Sequence, residues 1–121
     1  MFMFNRWPDA PDQELIQRVI LFCLERDIDV VFEGNFKIET HRRLLDELFA
    51  AHAVDNFIFY LDVSLEETLR RHAGRPQGIT AEKMQELYAV TAPLEDPAEH
   101  FIPENASIEQ AVQIVLDAAQ L

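Results

Sequence analysis

Three arginines cluster around a chain break: Arg70 and Arg71 end a helical pattern, and Arg75 lies inside Gly74-Arg75-Pro76-Gln77-Gly78. A guanidinium is planar and permanently charged, and it can bind two phosphate oxygens at once or stack on a base. Stabilising the charge of a transferring phosphoryl group is the chemistry such residues serve. Arg70 and Arg71 also lie at helical spacing from Glu66 and Glu67, where they balance charge and suit a helix C-terminus. For Arg70 that structural account is preferred; Arg75, in a turn, lacks one. Glu33-Gly34 is the second candidate. It follows the apolar run Ile28-Asp29-Val30-Val31-Phe32, at the carboxyl end of an expected strand, where open α/β sheets bind ligands. Glycine there would let backbone approach a ligand closely. A solvent-facing glutamate followed by a turn glycine is the structural alternative.

Other polar residues carry weaker signals. Asp62 closes the run Phe57-Ile58-Phe59-Tyr60-Leu61 and is read as strand-end chemistry, and His41-Arg42-Arg43 is read as a solvated basic spot. The three glycines, at 34, 74 and 78, are never followed by Lys-Ser or Lys-Thr. The phosphate loop G-x-x-x-x-G-K-[ST], which wraps backbone N–H groups around phosphates, is therefore missing from these residues. The histidines at 41, 52, 72 and 100 lack zinc-ligand spacing. Neither a nucleophile elbow nor a dinucleotide fingerprint is present.

The elements that would position these groups follow from periodicity. Apolar residues at three-and-four spacing predict helices over 10–26 and 40–52. Asp9 and Pro11 serve as the first helix's start signals. The capping box Ser64-Leu65-Glu66-Glu67 opens a helix to about 73, Thr80 opens one to about 90, and Ser107-Ile108-Glu109-Gln110 opens the last. Strands are expected at 28–32, 57–61 and 100–102, the first two apolar enough to be covered on both faces. Strands alternating with helices imply a parallel sheet and an α/β fold in one domain, 1–121.

Composition narrows the function classes. Apolar residues make up 49% of the chain, which argues against disorder. A net charge of −12 argues against nucleic-acid and anionic-membrane surfaces, which need clustered Lys and Arg. Met1-Phe2-Met3-Phe4 is too short for a signal peptide or a span, and no run approaches the roughly 20 apolar residues a spanning helix needs. Cys23 is the single cysteine and reads as a reduced, packed thiol. A cytoplasmic location is the expectation.

Taken together, Val30-Val31-Phe32-Glu33-Gly34-Asn35-Phe36, Phe57–Ser64, Glu66–His72 and Arg75-Pro76 resemble small bacterial P-loop kinases. These are the ATP-binding kinases related to zeta-toxin, gluconate kinase and shikimate kinase. The resemblance covers about 10–121. It implies a three-layer αβα fold with a short parallel sheet and five helices, incomplete because the Walker A segment is missing. The chain would correspond to the C-terminal two-thirds of such a kinase. It further implies Glu33 and Arg75 as catalytic residues, and Arg71, Arg75 and Asn105 as the nucleotide lid and adenine loop. Glu33 and Gly34 would face the substrate. ATP and Mg²⁺ are implied as cofactors that this chain would not hold alone. A truncated domain, inactive by itself, is the resulting expectation, and a non-catalytic interaction or dimerisation module, or a subunit completed by another chain, is the alternative. A homodimer or a completing chain would cover Met1–Phe4 or the edges of strands 28–32 and 57–61.

Overall fold

The computed structural model describes residues 12–76 and 78–121; Met1–Phe4, Asp9, Pro11 and Gln77 lie outside the described residues. Helix α1 (Asp12–Leu24) presents Ile16, Ile20 and Leu24 at helical spacing, and α2 (Ile38–Ala51) presents Leu44, Leu45 and Leu48. Ile20, Leu44 and Leu48 bury against one another, with Ile16, Leu21, Leu24, Val30 and Phe32 packed around them. Polar contacts fix the pair: Gln17 Nε2 donates to Glu47 at 3.0 Å, Arg43 Nε donates to the same carboxylate at 2.7 Å, and Gln13 Nε2 donates to the Thr40 carbonyl at 2.7 Å.

Helix α1 ends in a Schellman turn. Ile28 N–H reaches the Cys23 carbonyl and Asp27 N–H the Leu24 carbonyl, with Asp27 at φ 54°. Such an ending normally takes glycine, and aspartate is among the few residues that tolerate the left-handed conformation.

Residues 28–32 depart from the expected strand: they carry no strand pairing. The alternation survives in their burial. Val30 and Phe32 pack on the helix pair, whereas Val31 is 93% exposed. The apolar run therefore has one covered face, not two, and no strand beside it among the described residues.

The other two strands form. β1 (Ile58–Asp62) pairs in parallel with β2 (Glu99–Pro103), Ile58 opposite Glu99 through to Asp62 opposite Pro103. A parallel pair needs a crossover, supplied here by α3 (Leu65–Ala73) and α4 (Ala81–Val90). After β2 comes α5 (Ile108–Ala119), packed on β2. Within the sheet, Phe59 stacks on His100 with centroids 5.4 Å apart, and Tyr60 meets Phe101 edge-on at 5.6 Å. Burial is again one-sided: Ile102 is buried, but Leu61 is 65% and Phe101 50% exposed. The two-sided cover expected for 57–61 is not there.

Thr80 and Ser107 cap α4 and α5 as expected, and Ser107 with Gln110 completes a reciprocal capping box. An antiparallel bridge between Lys37 and Thr91, and a bond from Arg42 Nη2 to the Leu94 carbonyl at 2.8 Å, tie the helix pair to the βααβα unit. The described elements are thus five helices and a two-stranded parallel sheet, a mixed α/β arrangement. None of those helices is long and apolar enough to cross a membrane.

Candidate functional site

Because β1 and β2 run parallel, both carboxyl ends open onto the same edge, the position where open α/β sheets place their ligands. Ser64 leaves β1 there and caps α3, its Oγ accepting the Glu67 N–H at 3.2 Å. Glu104 leaves β2 there and accepts the Ser64 N–H on Oε2 at 2.9 Å. That N–H, and then the Ser64 hydroxyl, hold the Glu104 carboxyl below the usual carboxylate range, with Arg71 adding a smaller pull.

Arg71 closes the cluster. Its Nη2 donates to the Glu104 carbonyl at 2.6 Å and its Nε to Glu67 Oε1 at 2.6 Å. Arg70 takes the same carboxylate with two bonds, Nε at 2.6 Å and Nη2 at 2.7 Å. Arg70 first, then Arg71, draw the Glu67 carboxyl down to about 2. The second half of the expected capping box is therefore absent at α3: Glu67 turns to the arginines and not back to Ser64. Among the described residues Arg70 bonds only within its own helix, which fits the structural account, whereas Arg71 joins that helix to the loop after β2.

Arg75 lies in the break beyond α3, exposed, its N–H bonded to the His72 carbonyl at 3.1 Å. The His72 ring reaches the Ile79 carbonyl at 3.1 Å and so spans the break. Asn105 is exposed in the turn that Ala106 N–H closes onto the Pro103 carbonyl. It borders an open groove of about 420 Å³ whose polar lining includes Gln110, Gln113 and Asp117. The structure thus ties Arg71 to the loop that carries Asn105.

Glu33 and Gly34 lie elsewhere, in the link from α1 to α2. Glu33 is exposed and its side chain makes no hydrogen bond or ion pair among the described residues. Gly34 has negative φ, and a Cβ on it would meet only the Phe36 ring at 3.5 Å, so its conformation does not demand glycine. Nothing in the hydrogen bonding draws these two toward the arginine cluster. A ligand set for Mg²⁺ is not assembled either: no three His, Cys, Asp or Glu side chains gather where a cation could sit among the described residues.

Sequence reasoning missed the two residues at the centre of the cluster, Ser64 as a donor to Glu104 and Glu104 as its acceptor. The available signal was that both segments end parallel strands, which brings their next residues together. Compared with family models, with curated proteins and with solved structures, the chain matches none of them.

Proposed function

We propose that β1–α3–α4–β2–α5 is the nucleotide-lid half of a P-loop-kinase-like, three-layer phosphotransferase scaffold in the cytoplasm, and that the 121-residue chain does not transfer phosphate by itself. The observation that carries this reading is the bond from Arg71 to the backbone of the loop after β2. It sets a lid helix against the loop expected to border adenine, at the carboxyl edge of parallel strands. Arg75 then serves the phosphates and Asn105 the adenine side, with Glu33 and Gly34 toward the phosphoryl acceptor. ATP with Mg²⁺ is the implied cofactor, and its phosphates need a glycine-rich cradle and lysine that these 121 residues lack.

The test is phosphotransfer from ATP. The pure chain gives none. When a Gly-x-x-x-x-Gly-Lys-Ser/Thr segment is supplied, from the upstream coding region or as a second polypeptide, turnover appears, and Arg75→Ala lowers it by about 10²–10³-fold, as loss of a preorganised charge donor does. Arg70→Ala changes it far less. Equal effects of the two substitutions would reject the lid assignment.

A further inference from the structure

The basic spot His41-Arg42-Arg43, expected to be solvated, divides in the structure. Arg43 stays on its own helix, paired with Glu47 at 2.7 Å. Arg42 leaves α2: its Nη2 donates at 2.8 Å to the Leu94 carbonyl, in the loop between α4 and β2. That acceptor is held in place from the other side. Glu99, at the start of β2, accepts the Leu94 N–H on Oε1 at 3.1 Å and the Glu95 N–H on Oε2 at 3.0 Å. Asp96 takes the Ala98 N–H on Oδ1 at 2.8 Å and the Glu99 N–H on its carbonyl at 3.0 Å. Glu95 stands at φ 60°, a left-handed backbone that a residue with a Cβ keeps only where surrounding bonds hold it. The loop is thus pinned to β2 before Arg42 reaches it.

The two bodies that Arg42 joins are each built from local contacts. The core of Ile20, Leu44 and Leu48, with the apolar residues packed around it, draws only on residues 16–48 among the described residues. Ile102 is buried in the other body, outside that core. Between them stand the Lys37–Thr91 bridge and the Arg42 bond. Leu45 is also buried but lies outside the Ile20 core, three residues from Arg42 and so on the same flank of α2. Bodies with separate cores open separately unless discrete contacts couple them. A charged donor on a carbonyl is a stronger contact than a neutral pair.

We propose that Arg42 is a latch between two cooperative units, the helix pair at 12–51 and the βααβα unit at 58–119. Engaged, it makes them open together; released, it lets the helix pair open by itself. The latch does not depend on the kinase-like reading. Hydrogen exchange of the full chain, resolved by residue over a series of urea concentrations below the unfolding transition, tests it. In the unchanged protein the slowest amides of α1, α2, β1 and β2 should follow one common dependence on urea. Arg42→Ala, at an exposed side chain, should leave the fold intact and raise the opening constant of the α1 and α2 amides by about tenfold or more. The β1 and β2 amides should keep theirs. Glu99→Gln, which loses one of the two acceptors that pin the loop, should separate the two sets in the same direction. Arg43→Ala, an equal change of charge one residue away, should leave them together. Separate urea dependences in the unchanged protein, equal loss of protection in both units on Arg42→Ala, or the same separation on Arg43→Ala would each overturn the proposal.

Discussion

At the scale of single residues, the site rests on two carboxylates with opposite tasks. Glu67 collects both arginines of α3, and Glu104 collects the N–H that follows β1. Both carboxyls have folded values below the ordinary 4.5, Glu67 at about 2. A depressed carboxyl contributes stability that is present above its unfolded pKa and lost as pH falls through the folded one. The Glu67 tie should therefore hold at neutral pH and loosen between about pH 4.3 and pH 2, and the Glu104 tie should likewise weaken on acidification. Carboxyl chemical shifts read this directly: Glu67 should titrate near 2, and Arg70→Ala should move that titration upward. Arg71→Ala separates local from connecting roles. It should increase hydrogen exchange at Ser64 and in the 104–106 turn, whereas Arg70→Ala should leave that exchange unaltered. Arg71 was legible from its type and its place after a capping box. Its partner was not, because a backbone carbonyl carries no mark in the sequence.

At the scale of elements, local signals were read well and partners were not. Five helices stand close to where periodicity put them, and Ser64, Thr80 and Ser107 cap three of them, since three-and-four spacing and Ser or Thr caps are properties of a single segment. Helix α2 instead begins at Ile38, before the Thr40 expected to start it, after Lys37 and without a side-chain cap. Leu44→Ala in the α1–α2 core should cost about 2–5 kcal/mol, because a side chain only 3% exposed leaves a cavity. Ser107→Ala should cost about 1 kcal/mol by removing the complete capping box of α5. Urea denaturation measures both. The segment 28–32 shows the limit of such reading. Its composition is that of a buried strand, but strand formation needs a neighbour, and hydrogen-bond partners are non-local. Val30 and Phe32 kept the strand-like alternation while the ladder did not form.

At the scale of the whole molecule, the described chain has five buried hydrophobic residues (Ile20, Leu44, Leu45, Leu48 and Ile102) against a long run of exposed ones, Val31, Leu61, Ile108 and Leu121 among them. The same imbalance appears at 28–32 and 57–61, where burial among the described residues is one-sided and the expected two-sided cover is not met. We propose that the arginine-bearing edge is a kinase lid whose phosphate cradle these 121 residues do not supply. Phosphotransfer from ATP, measured with the 121-residue chain and again with the phosphate-loop segment supplied, tests it most directly. No transfer is expected in the first case and Arg75-dependent turnover in the second. Turnover by the 121-residue chain alone, abolished by Arg75→Ala, would contradict it.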